Sequence, residues 1–408
     1  MTEGVAAVTL PHVTKTDGMR VPLKSWAADA EAGALEQATN LTRLPFALHH
    51  VALMPDAHQG YGMPIGGVLF ADKTIVPYAV GVDIGCGVAL IETSMFRSAL
   101  LRPDHDVSVS VQRFLDQVAR DVPVGNGPQA QHRSPRGEPF APTVSDKGSG
   151  VLRDAIHAAE TQLGTLGGGN HFLELQADDE DRIWFMLHSG SRSVGKKVCD
   201  HWHRVATTLN VRWHSDLPHR ELAYLPWETD EAQGYWNDMN IAMAWAEENR
   251  RRMAGKVISA FGRVFNVAAA QVLDVHHNYA VWENHFGQNG IVHRKGAVRA
   301  RDGETVLIPG SMGTASYVAA GLGNPDSFET CQHGAGRARS RGDTRRSTSV
   351  AAMDAQLAGA GVTLVTPNRA DVIDESAVAY KDIELVMAAS ADLVTPVRRH
   401  LPIGVVKG

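Results

Sequence analysis

Asp83 and Cys86 stand three residues apart in the run Asp83-Ile84-Gly85-Cys86-Gly87. Glycine lets such a turn bend until a carboxylate and a thiol converge on one point. Imidazoles occur in similar settings. His171 follows three glycines in Gly167-Gly168-Gly169-Asn170-His171, with Glu174 just beyond. His188 stands at the exit of an apolar run, Ile183–Leu187, and His276-His277-Asn278 adds another pair of rings. Each histidine alone reads as a satisfied core group. Together with Asp83 and Cys86 they read as metal donors gathered at strand ends and turns. A thiolate, several imidazoles and one carboxylate suit a borderline divalent ion such as zinc or manganese better than magnesium, and a cysteine can bridge two ions. Cys331-Gln332-His333-Gly334-Ala335-Gly336-Arg337 presents a further histidine among small residues, with a cation nearby. That pattern fits a nucleophilic histidine forming a phosphoramidate, a further metal ligand or a plain turn.

Three other patterns have blander readings. Lys15-Thr16-Asp17-Gly18 spells the KxDG of lysine-dependent ligases, but Asp-Gly is a common turn dipeptide and a surface turn explains it. Gly190–Lys197 has the GxxxxGK spacing of a P-loop, yet Lys197 stands where magnesium binding needs Ser or Thr. A loop contacting phosphate or RNA through Ser189, Ser191 and Arg192 remains open. Cys199, His201 and His203 lie close together, with Cys199 and His203 on one helical face. An amphipathic helix accounts for them better than a metal site.

The elements that must position these groups read as short apolar strands at His50–Met54, Ile65–Phe70, Ile75–Val82 and Val88–Ile91. Helical spacing follows at 104–121, Val151–Leu163, Val194–Leu209 and from Glu231 to Val257. The stretch 122–150 is the best loop or linker, 264–333 returns to short strands, and Ile403–Val406 closes the chain as a strand. Strands and helices do not alternate in long βαβ units, so the expected class is α+β with a large irregular core. The 408 residues are 44% hydrophobic and 21% charged, enough to bury a sizeable core. No apolar run is long enough to span a bilayer, and three scattered cysteines do not make a disulfide framework, so a reduced, cytoplasmic protein is expected. The formal net charge is −6, so nucleic acid would need a local patch. Residues 291–346 offer one, with nine basic side chains against five acidic, although a solvated face explains such a stretch equally simply.

Longer strings carry more. MPDAHQGYGMPIGG (54–67), VGVDIGCG (80–87), GTLGGGNHFLE (164–174), LHSGSR (187–192), HHNY (276–279), RKGAVRA (294–300), IPGSMGTASY (308–317), HGAGRARSR (333–341), AYKDIE (379–384) and VVKG (405–408) occur in this order. The sequence strongly resembles the RtcB family of GTP-dependent RNA ligases. The resemblance implies one α+β domain over 1–408, with a loop-rich insertion near 122–150. It implies that Asp83, Cys86, His171, His188 and His277 hold two manganese ions with Cys86 bridging, and that His333 becomes guanylylated. Asn170, Glu174, Ser311, Ser316, Tyr380 and Lys407 fall where GTP or GMP is held, and Asp56 lies near the reacting centre. Arg192, Arg299, Arg337 and Arg341 become candidates for RNA phosphates. The implied reaction joins a 3′-phosphate or 2′,3′-cyclic phosphate RNA end to a 5′-hydroxyl end, in tRNA splicing or RNA repair, with an archease-type helper as a further partner. A dinuclear metal phosphoesterase, an end-capping member of the same family and a non-catalytic RNA-binding protein are the alternatives.

Overall fold

A computed structural model describes residues 10–100, 107–125, 140 and 148–408. The architecture is mixed α+β, built on two large sheets. The larger orders its strands Ala269–His276, Gly87–Phe96, Arg182–Ser189, Phe172–Asp178, Val394–Val406, Ser316–Gly321 and Thr305–Ile308, every neighbour antiparallel. Thr363–Val365 lies parallel to Val394–Val406. The smaller has six strands, His12–Thr14, Leu23–Ser25, Ala47–His58, Ile65–Ala71, Gln288–Lys295 and Asn278–His285.

One face of the larger sheet is closed by the helices Val107–Asp121 and Asp230–Phe265. Phe114 and Phe261 meet Phe185 edge-on beneath them, and Leu187, Met253 and Val257 complete an apolar interior. The long helix begins at an N-cap Thr229, whose side chain accepts from the Ala232 amide, and ends on Asn266 in the left-handed region. It runs 36 residues, well past the expected Val257, because its last turns bury Ala260 and Phe261.

Ile75–Val82 departs from its expected strand. Only Thr74–Ile75 is extended, and Pro77–Val80 is a short helix with proline at its start, where a missing amide is harmless. The expected helix over 104–121 begins at Val107 among the described residues, and most of the 122–150 loop lies outside them. All three cysteines are free, and no helix among the described residues is long and apolar enough to cross a membrane. The site gathers where strand ends of both sheets meet. His188 ends one strand, the chain turns between His276 and Asn278 from one sheet to the other, and Asp56 lies near the end of Ala47–His58.

Candidate active site

Cys86 is the focus of the donor group. Its Sγ lies 3.2 Å from His188 Nε2 and 3.6 Å from His171 Nε2, and His171 Nε2 lies 3.2 Å from Asp83 Oδ2. Two sets of three share the thiol: Cys86 with His188 and His277, and Asp83 with Cys86 and His171, each set within 4.8 Å. His171 Nδ1 faces the Leu166 carbonyl at 3.0 Å, and His188 Nδ1 faces the Asn170 carbonyl at 3.2 Å. A carbonyl only accepts, so both rings carry their proton on Nδ1 and turn an Nε2 lone pair towards the thiol. Burial drives His188 and His277 well below the usual histidine range, which keeps them neutral. Burial, then the adjacent Asp83, pushes the Cys86 thiol up, a penalty that a bound cation would reverse. His277 Nδ1 is buried without a hydrogen-bond partner among the described residues. Neutral imidazoles, a thiol and a carboxylate facing one another form a cradle for divalent cations, and the donor chemistry fits manganese or zinc.

The loop that resembled a P-loop serves this cradle. Ser191 donates to Asp83 Oδ1 from both its amide, 2.9 Å, and its hydroxyl, 3.0 Å. A Cβ at Gly190 would stand 2.2 Å from Asp83 Oδ2, so only glycine lets the carboxylate come so near. Its anion is therefore a carboxylate of its own chain, and Ser189 is bound up with Leu166 and Asn249. The long helix supplies two groups that sequence reasoning missed. Asn249 holds the Gly164 and Thr165 amides and the Gly190 carbonyl, while Arg250 spans Asp274, the Gly85 carbonyl and the Ser189 carbonyl. Fully buried Asn and Arg within a helical stripe of Ala, Met and Trp were the available signal.

His333 stands beside the cradle, its ring 4.7 Å from that of His277. Its Nδ1 lies 2.6 Å from Asp56 Oδ2, which also accepts the His333 amide at 3.1 Å. Asp56 is fully buried, so one carboxylate fixes both backbone and ring. With the proton on Nδ1, the Nε2 lone pair is left for chemistry. Gly336 permits this approach: its φ is +72°, and a Cβ there would meet the Asp56 carbonyl oxygen at 2.1 Å.

A cavity of about 650 Å³ is lined by His333, Asp83, Cys86, His188 and His277 and by all six residues expected to hold nucleotide. Asn170 is exposed, and its carbonyl orients His188. Glu174 is buried, and that burial outweighs the hydrogen bond from Gln176 and the charge of Lys407, raising its carboxyl to about 7. Ser311 pairs with Thr314, and the Ser316 hydroxyl accepts the Gly310 amide, so both shape the 309–316 turn. Tyr380 donates to Glu375, and the Lys407 ammonium donates to the Gly169 and His171 carbonyls and to Glu375. Glu375 is another residue the sequence did not announce. Burial pushes its carboxyl up, but Lys407, Arg341, the Tyr380 hydroxyl and Arg337 together hold it at about 2.

The four arginines expected along RNA do not form a free track. Arg192 has φ +59° and lies against the cradle, Nη1 3.4 Å from His171 Nδ1. Arg299 is engaged by Glu304 and does not line the cavity. Arg337 and Arg341 do line it, but both are tied to Glu375, with Asp374 adding a carbonyl and a carboxylate. Arg339, not singled out from sequence, lines the cavity without a carboxylate within ion-pair distance among the described residues. Lys15 donates to the Arg20 carbonyl in an exposed turn and does not line the cavity. Cys199 faces the Pro77 carbonyl while His203 stacks on Tyr78 at 3.7 Å, so the cluster has no common focus.

The family model for tRNA-splicing ligase RtcB matches residues 37–408. An RNA-splicing ligase RtcB of Escherichia coli K12 is 37% identical, covering 95% of this chain and 97% of its own length. The tRNA-splicing ligase RtcB of Thermococcus kodakarensis is 33% identical over 96% of this chain and 95% of its own. The RNA-splicing ligase RtcB of Mycobacterium tuberculosis is 33% identical over 91% and 100%. A thiol-centred donor cradle beside a carboxylate-pinned histidine, on a chain so matched along nearly its whole length, belongs to the RtcB family.

Proposed function

We propose that this chain is an RNA ligase that joins 3′-phosphate or 2′,3′-cyclic phosphate ends to 5′-hydroxyl ends at the expense of GTP. The observation that carries the reading is the pairing of His333 Nδ1 with buried Asp56, which leaves Nε2 free in the cavity that also holds the Cys86 cradle. Asp83, Cys86, His171, His188 and His277 would hold two manganese ions, with Cys86 shared between the two donor sets. Bound there, the metals would offset phosphate charge and orient the reacting groups.

His333 Nε2 forms a bond to the α-phosphorus of GTP as the bond to pyrophosphate breaks. Asp56, accepting from Nδ1–H, offsets the positive charge that develops on the ring. An oxygen of the RNA 3′-phosphate then displaces His333 from the phosphorus and yields RNA(3′)pp(5′)G. The 5′-hydroxyl attacks the RNA phosphorus, GMP leaves and the hydroxyl proton is lost. A cyclic end is first opened by hydrolysis. Glu174 suits guanine, whose N1–H and exocyclic amine are donors facing an acceptor, while Tyr380 and Lys407 sit on the same wall around Glu375. One domain, a reducing cytoplasmic setting consistent with three free cysteines, and an archease-type helper belong to the same reading. The test is incubation with labelled GTP and manganese, then with RNA of the stated ends. An acid-labile, alkali-stable adduct on the protein and a ligated product are expected. A phosphoesterase using the same cradle would take up no label.

A further inference from the structure

The residues read above as holding nucleotide, Glu174, Ser311, Tyr380 and Lys407, line the cavity. Another part of its rim runs through His58, Gln59, Gly60, Tyr61, Gly81 and Val82, and the last two lead straight into Asp83 of the cradle. On that rim Tyr61 is 60% exposed, more than Phe96, Phe286 or Trp213. An exposed aromatic on a slack loop would mean little, but this loop is tied down from several elements. Gln37 donates to the Gly60 carbonyl at 2.7 Å and accepts the Gly60 amide at 3.0 Å. Glu31 accepts the Gln59 amide, and Glu221 accepts the Gly62 amide at 2.7 Å. The buried Lys295 ammonium donates to the Tyr61 carbonyl at 2.6 Å, the Met63 carbonyl at 2.8 Å and the Tyr78 carbonyl at 3.2 Å. The Gly60 and Tyr61 carbonyls and the Gln59, Gly60 and Gly62 amides all have partners, while the Tyr61 ring faces solvent.

The ring also has backing. Tyr78 lies 6.1 Å from it between centroids, and His203 stacks flat on Tyr78 at 3.7 Å and 11°. The Tyr78 hydroxyl reaches Asp200, which Lys196 pairs, so a cation stands beside the aromatic row. Unstacked bases at RNA ends are bound by such π-faces, which tolerate any sequence because every base has a flat face. A ligase reading requires RNA ends to enter on a side the nucleotide does not fill.

We propose that Tyr61, backed by Tyr78 and His203, is the stacking platform for a terminal base of the RNA brought to His333. The proposal rests on the ligase reading above. It also gives the Cys199–His203 helix a role: His203 buttresses an aromatic row. The preorganised loop means that the RNA end meets a ring already held in place, so little ordering is lost on binding.

The experiment measures RNA binding and single-turnover ligation by the full chain, with Tyr61→Ala and Tyr61→Phe beside the unaltered protein. Each is given RNA carrying either a normal or an abasic terminal nucleotide, placed at the 3′-phosphate end in one arm and at the 5′-hydroxyl end in another. Stacking of one base is worth about 1–3 kcal/mol, so Tyr61→Ala should weaken RNA binding by roughly tenfold, and Tyr61→Phe should restore it. The decisive outcome is non-additivity: at the end that uses the platform, an abasic nucleotide removes the difference between the two proteins. If the losses multiply in both arms, or Tyr61→Ala binds RNA as before, the proposal is wrong. A defect that appears equally in GTP adduct formation would mark Tyr61 as a loop-shaping residue and overturn it too. A defect seen only with a protein helper present would assign the face to that helper and not to RNA. Failure of the unaltered protein to form any GTP adduct would sink the ligase reading instead, and the RNA-binding arms would still decide on Tyr61.

Discussion

Cys199 and His203 lie four residues apart on one helix, while Cys86 and its partners come from two turns, one strand and a glycine loop spread over Asp83–His277. On the helix the thiol points inward to the Pro77 carbonyl and the imidazole stacks outward on Tyr78. At the strand ends the side chains converge, and carbonyls behind His171 and His188 turn the remaining lone pairs towards the same sulfur. Closeness along a sequence therefore says less than what stands behind each ring. A donor becomes a ligand when its other polar atom is already satisfied by something that fixes its direction.

The sharpest break of the comparison concerns the nucleophile. His333→Ala should abolish the GMP adduct outright, whereas Lys15→Ala, on an exposed turn, should leave it unchanged; labelled GTP and peptide mapping read both. An adduct mapping to Lys15 would return the chemistry to KxDG. Next come the two cysteines. Cys86→Ser should reduce ligation by about 10³-fold or more, beyond the 10–100-fold typical of losing an outer partner, while Cys199→Ser stays within about threefold. Metal content measured on both proteins separates lost binding from misfolding. Ser191→Ala removes one of two donors to Asp83 and should weaken metal affinity by roughly 10–100-fold, checked by calorimetric titration. Unchanged affinity would mean that the amide alone holds the carboxylate.

The smallest effect is one of pH. Burial raises the Glu174 carboxyl to about 7, and the guanine-facing role proposed for it needs the ionised form. GTP affinity should therefore fall about tenfold per unit as pH drops below 7. The stability sign runs oppositely. A carboxyl raised on folding contributes most below its unfolded value and loses that contribution as pH rises through about 7. Glu174→Gln should lose GTP binding yet melt higher than the unaltered protein at pH 8, by up to about 3 kcal/mol in stability. Parallel melting curves of the two proteins from pH 5 to 8 would contradict a buried, raised carboxyl.

Much of the centre was legible in the sequence because its donors are rare residue types in glycine-rich frames, such as Asp83-Ile84-Gly85-Cys86-Gly87. The helices were legible for another reason, since apolar spacing reports a buried face whatever covers it. Pro77 hid a short helix inside an apolar run, and the ends of the long helix depended on what packed beneath Ala260 and Phe261. Glu375, Asn249 and Arg250 were invisible as functional groups because their types are commonplace and their partners lie far along the chain.

What the sequence alone determined is therefore composition of the site: which donors exist, which glycines allow close approach, and which helices carry a buried stripe. Tertiary structure decided where charge is spent. The basic residues after His333 read as a surface for RNA, and in the fold Asp374 and Glu375, more than thirty residues on, pair with Arg337 and Arg341. A P-loop spacing became a clamp for Asp83, and a cysteine–histidine cluster became the buttress of a tyrosine. The physical reason is common to all three. An ionic or hydrogen-bonding group is defined by the partner that satisfies it, and in a fold built of two sheets with crossing strands that partner is rarely a neighbour in sequence.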